Sequence, residues 1–245
     1  MLLRMLSCGV LATNQNATTK LTQSYCATIV PMIEALIAYF QGNTPDFLLA
    51  LWQHVLIAVA AVITAIALGF PLGVLASRNA TARTIVTGTL STLRVIPSLA
   101  LLFLIVVLTG QVGFPVALFA LTVLALPVIM INTTVAFSQL PRPPIEAARA
   151  LGLTPAHTFW YVKLPLAAPI ICAGIKTATT EVIASATLAA FIGGGGLGTI
   201  IFTGLGLMRT ELLVIGGVSV AALSLLSLAL LNIMERHLLP WRNTT

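Results

Sequence analysis

Five long apolar runs separated by short polar joints constrain this chain more than any other feature. They extend from about Leu51 to Ala76, Leu90 to Thr109, Phe114 to Phe137, Leu166 to Ile192 and Leu212 to Met234. Each is close to the roughly 20 residues that a helix needs to cross the hydrocarbon core of a bilayer. Lipid offers no water to a backbone amide, so such a run must satisfy its own peptide groups as a helix. The predicted fold class is therefore all-α, a polytopic transmembrane helical bundle of about five core spans. Composition agrees: 58% of the residues are hydrophobic and 7% charged, where a soluble domain carries roughly a quarter charged. A water-borne fold of that make-up would expose too much apolar surface, and 245 residues leave no room for an enzyme-sized domain outside the membrane.

The N-terminal part reads differently. Residues 1–28 are rich in Thr, Asn and Gln and read as a flexible leader. The apolar run Ile29–Phe40 is short and carries Glu34, which fits an interfacial helix better than a span. A polar turn, Gly42-Asn43-Thr44-Pro45-Asp46, is expected to end it. This divides the chain into a tail with a short interfacial helix over 1–45 and a membrane domain over 46–242. Cys8, Cys26 and Cys172 have no metal-site spacing. Met5-Leu6-Ser7-Cys8 faintly resembles a lipoprotein cleavage box, but the apolar stretch before it is too short for a signal peptide. Gly69, Pro71 and Gly73 in the first span mark either a kink or a close helix contact.

The net charge of +6 does not point to nucleic acid, because the cations stand singly at the ends of apolar runs and no basic patch forms. They report topology instead. Arg78 and Arg83 follow the first span, Arg142, Arg149 and Lys163 separate the third from the fourth, and Arg236 and Arg242 follow the fifth. With about five spans these groups share one side, which the positive-inside rule makes cytoplasmic, together with the C-terminus. The other side receives Asp46, Gln111 and the Arg209/Glu211 pair.

The loop over about 138–165 is the charged island between the third and fourth spans, and it contains Glu146-Ala147-Ala148-Arg149-Ala150-Leu151-Gly152 and then Leu164-Pro165-Leu166. Pro143 and Pro144 suit the first turn of a new helix, and Glu146 is expected in that turn, near the positive helix end. Gly152 suits a left-handed helix stop, and Thr154 can cap a second short helix that begins at Pro155. The segment thus predicts helix, tight turn, helix, outside the membrane. An amphipathic loop without partners would share the Glu-Ala-Ala triplet, which alone carries no weight; the combination with the glycine, the Leu-Pro pair and the position between spans is what is specific.

That combination resembles the cytoplasmic loop of ABC importer permeases. Arg94-Val95-Ile96-Pro97-Ser98-Leu99-Ala100-Leu101 looks like a stretch that opens a span in the permeases for glycine betaine, carnitine and choline. Ala173-Gly174-Ile175-Lys176, Phe191 to Gly198 and Glu235 to Pro240 are similar to further stretches of the same family, with Lys176 in place of a usual Arg. From about Trp52 to Arg242 the chain is covered. The resemblance implies a type I permease that imports an osmoprotectant through a bacterial inner membrane. Glu146, Ala147, Ala148, Gly152, Leu164 and Pro165 would then couple it to a separate ATPase subunit. It also implies a second permease copy or a sister permease, and a periplasmic or lipid-anchored solute-binding protein.

The chain lacks a Gly-Lys-Ser/Thr phosphate loop, so no cofactor is expected on it, and ATP with its Mg belongs to the ATPase. Candidate pathway or gating residues are Ile96, Pro97 and Ser98, where a proline early in a span breaks the helix, and Gly194, Gly195 and Gly196, which permit a sharp turn. Each has a plain structural alternative, a packing kink and an ordinary turn. Lys176 and Glu181 are charges inside the fourth span; being five residues apart, they do not face each other well. A structural or gating contact fits them better than solute coordination. A quaternary ammonium ion is held by aromatic rings, and no clustered Trp/Tyr pattern occurs, which places high-affinity recognition on the binding protein. The rival readings are a permease for another small solute such as an amino acid, an ion-coupled carrier, or a structural membrane subunit. His54, His157 and His237 are scattered and assemble no catalytic set.

Overall fold

Apolar sequence over most of the chain is expressed as helix throughout. A computed structural model describes the backbone from Ala17 to Leu238, with side chains at Glu34 and from Ile37 to His237. The Met5–Cys8 motif, the Cys26 side chain and the closing Leu239, Pro240 and Arg242 lie outside the described residues. In chain order the helices are α1 (Ala17–Ser77), α2 (Ala80–Leu93), α3 (Ser98–Thr109), α4 (Phe114–Ser138), α5 (Arg142–Ala150), α6 (Pro155–Thr158), α7 (Leu164–Ala186), α8 (Gly198–Gly206) and α9 (Thr210–Leu238). A π-helical turn, Phe159–Lys163, joins α6 to α7, and a 3-10 turn, Leu188–Ile192, follows α7. Among the described residues four helices are long and apolar enough to cross a membrane, and the bent pair α2–α3 counts as a fifth if the two are taken as one span.

Helix α4 is the axis of the bundle, packed along α1 on one side and α7 on the other, while α9 rests on α7 and α8. Small residues set these approaches. A side-chain carbon added to Gly73 would come within 2.7 Å of Thr133, and one added to Gly174 within 2.5 Å of Asn132, so both contacts require glycine. Gly69 and Gly73 therefore serve a close contact with α4, and the backbone through Gly69, Pro71 and Gly73 keeps helical dihedrals. Ile57, Leu121, Val128, Ile129 and Val182 fill the centre.

Three expectations change. The polar stretch Gly42–Asp46 does not form a turn: α1 runs through it with a single non-helical residue, Asn43. Asn43 Nδ2 donates to the Tyr39 carbonyl and the Thr44 hydroxyl to the Phe40 carbonyl, so side chains satisfy the carbonyls that the kink disturbs. Edge-on rings of Tyr39, Phe40 and Phe47 brace the same place.

The run Leu90–Thr109 breaks at the expected proline, but sharply enough to divide into two separate helices. Pro97 takes φ −58° and ψ 135°, and the axes of α2 and α3 meet at 93° across it. A residue before proline avoids the helical region, so the chain turns a corner within a continuous apolar run. The fourth span is also longer at its start than expected: helical backbone continues from Pro155 through the π-helical turn to Ala186, 32 residues in all. The second short helix of the loop is thus the tip of a span.

Candidate functional site

At one end of α7 stands the loop. Pro141 precedes α5 in an extended conformation, and Pro143 and Pro144 occupy its first turn, where a missing amide costs nothing. Because α5 starts at Arg142, Glu146 is its fifth residue and lies beyond the first turn, which holds no acidic residue; the expected carboxylate–dipole contact is not made. Gly152 takes φ +80°. Its amide donates to Arg149 O at 2.9 Å, and that of Leu153 to Ala148 O at 3.1 Å, which closes the helix with a glycine-dependent cap. Thr154 caps α6, accepting from the His157 amide at 3.4 Å.

Ala148 is buried and fastens α5 inward, whereas Glu146, Ala147, Arg149 and Leu151 are exposed on the outside. Leu164 and Pro165 are half-buried at the start of α7, not on the same exposed face. Trp160 and Tyr161 add exposed aromatic surface, while Phe159 stacks on Phe137 at 5.5 Å and anchors the loop to α4.

At the other end of α7 the chain reverses through glycines. Gly193, Gly195 and Gly196 take φ of +76°, +74° and +86°, conformations that suit glycine. The Gly196 amide donates to Gln53 Oε1 of α1 at 3.2 Å. His54, fully buried, donates from Nε2 to the Ile183 carbonyl at 3.1 Å. Its Nδ1 has no partner among the described residues and lies against Gly196, where an added side-chain carbon would come within 3.0 Å of it. Gly194 is packed against Ala117 and Ala189. Gln53 and His54 thus hold the turn from α1, a role that sequence reasoning missed; an adjacent Gln-His pair inside an apolar run was the available signal.

Charges tie the helices at two further points. Lys176 of α7 binds Asn232 and Glu235 of α9, and all three side chains are largely sheltered. Glu181 pairs instead with Arg94 at 3.5 Å, at the corner between α2 and α3. Lys176 and Glu181 accordingly have separate partners. Ile96 and Pro97 are exposed on that corner, with Ser98 half-buried at the first position of α3. Phe103, Phe191 and Phe202, far apart in sequence, meet with ring centroids 6.4 and 3.8 Å apart. No cluster of three or more potential metal ligands occurs among the described residues.

Comparison with known proteins bears on the whole of this arrangement. Residues 65–242 match the family described as binding-protein-dependent transport system inner membrane component. Over 208 residues the chain is 38% identical to the carnitine transport permease protein OpuCB of Listeria monocytogenes, covering 85% of this chain and 95% of that protein. Over 207 residues it is 37% identical to the choline transport system permease protein OpuBB of Bacillus subtilis, covering 84% and 94%. In structure it resembles a chain of the MetNI methionine ABC transporter in an inward-facing conformation, with a TM-score of 0.64 and 24% identity over 79% of this chain and 94% of that one. That last likeness is one of fold.

Proposed function

The chain belongs to the family of binding-protein-dependent transport system inner membrane components, and from that premise we propose that it carries a quaternary-ammonium osmoprotectant such as glycine betaine, choline or carnitine. It is the multi-pass membrane permease of an ABC importer. The observation that carries the solute class is the 37–38% identity, over some five-sixths of the chain, to permeases named for carnitine and choline.

The exposed face of α5 is the docking surface for a separate ATPase subunit, which holds the ATP and Mg. Glu146, Ala147 and Gly152 shape that surface, Ala148 anchors it, and Leu164 and Pro165 join it to α7. The loop and the C-terminus face the cytoplasm. Two permeases, either two copies or this chain with a sister chain, enclose the passage, because one protomer's helices make a poor conduit. A periplasmic or lipid-anchored binding protein delivers the solute on the other face, near Gly194, Gly195 and Gly196. ATP binding draws the ATPases together, shifts α5 and α6 with them, and reorients the passage.

The test is a pull-down of the tagged chain from mild detergent beside its Gly152→Asp variant, followed by uptake of labelled glycine betaine, carnitine and choline. An ATPase that accompanies the wild type and is lost or uncoupled in the variant, together with uptake of one of these solutes, is the expected result. A folded wild type that binds an ATPase but carries none of the three rejects the solute class.

A further inference from the structure

The Arg94–Glu181 contact is unlike the other ion pair that ties α7. Lys176 lies level with the end of α9, and Glu181 is five residues further along α7, about 7.5 Å deeper at 1.5 Å per residue. Charges at such depth are costly against lipid tails and face the bundle interior or a watery cavity. The Lys176–Glu235 pair meets that condition by shelter, with side chains 18% and 13% exposed. Arg94 and Glu181 do not: they are 42% and 31% exposed. They meet through Nη2 and Oε2, at 3.5 Å, and among the described residues neither side chain has a further hydrogen bond or ion pair. Most of the guanidinium's donors and one carboxylate oxygen are therefore open.

Arg94 also stands at the 93° corner of a broken helix pair. Non-helical backbone at membrane depth is tolerated where it lines a cavity, and transporters place their broken helices beside the solute. An open, loosely joined cation and anion at such a corner form a dipole. A zwitterion with a carboxylate and a quaternary ammonium group complements both halves: the guanidinium fork grips the carboxylate, and the Glu181 carboxylate faces the ammonium charge. A simple quaternary ammonium cation meets only one attractive half and one repulsive half.

We propose that Arg94 and Glu181 are the solute-recognition charges of the passage, and that they favour a zwitterion such as glycine betaine or carnitine over a cation such as choline. This rests on the solute class proposed above. The test is uptake of labelled glycine betaine and choline by the complete transporter, with its ATPase and saturating binding protein, in liposomes. In Arg94→Gln, betaine uptake falls about tenfold, as for loss of one charge-assisted hydrogen bond, and choline uptake less than about twofold. Where the wild type moves no choline, Arg94→Gln admits it, since Glu181 is then unopposed. Arg94→Lys, which keeps the charge and the ion pair but loses the fork, gives an intermediate betaine rate, and Glu181→Gln slows both solutes. Parallel loss of both solutes in Arg94→Gln, or an unchanged betaine rate, overturns the proposal and leaves a packing lock while the solute class stands. A wild type that carries neither solute, nor carnitine, removes the solute class and this proposal together.

Discussion

The two ends of α7 use glycine and polar side chains in opposite ways. At the glycine turn the packing is closed: Gly194 is wedged against alanines, the Gly196 amide is taken by Gln53, and His54 is sealed beneath it. At the loop, none of the described residues lies within 4 Å of where a side chain on Gly152 would sit, and Leu151, Trp160 and Tyr161 are exposed. Here glycine supplies a backbone angle; there it also supplies closeness. The difference teaches that the turn is finished within one chain, whereas the loop is a surface that the described residues of its own protomer leave uncovered.

This contrast can be broken by substitution. The largest effect is expected at Gly198, where an added side chain collides with the Thr187 carbonyl and Ala190. Gly198→Leu should cost about 3 kcal/mol, read as loss of monodisperse protein on heating in detergent. Next, His54→Ala opens a cavity and strips the Ile183 carbonyl of its donor, for about 2 kcal/mol by the same assay. At the loop the scale drops: Gly152→Ala meets no clash and pays only the left-handed conformation, about 1 kcal/mol. Thr154→Ala removes a cap and a contact with His157, for about 0.5–1 kcal/mol. The smallest effect on stability, within about 0.5 kcal/mol, belongs to the exposed Leu151→Glu. That variant should nevertheless lose the ATPase in a pull-down. Full ATPase retention with Leu151→Glu, or a harmless Gly198→Leu, would erase the distinction between the two ends.

Local rules were readable and pairings were not. The Gly152 stop, the Thr154 cap and the prolines of α5 follow from short-range preferences and stand where expected, as does the run from Phe114 onwards. Glu146 missed the first turn because α5 begins before its prolines, at Arg142. The break at Pro97 was legible from the proline itself; its 93° angle was not, because hydropathy is unbroken on both sides. Gln53 with Gly196, Arg94 with Glu181, and the three phenylalanines are brought together only by tertiary packing, and no spacing along the chain announces them.

The unbroken helical backbone from Pro155 to Ala186 has a mechanical consequence. It joins the exposed loop to the sealed turn through one continuous lever, about 48 Å long at 1.5 Å per residue. A tilt of only about 5° around its midpoint displaces each tip by about 2 Å on that length. That is enough to part a hydrogen bond such as the one from His54 to Ile183, so leverage turns a slight push at one surface into a discrete break near the other.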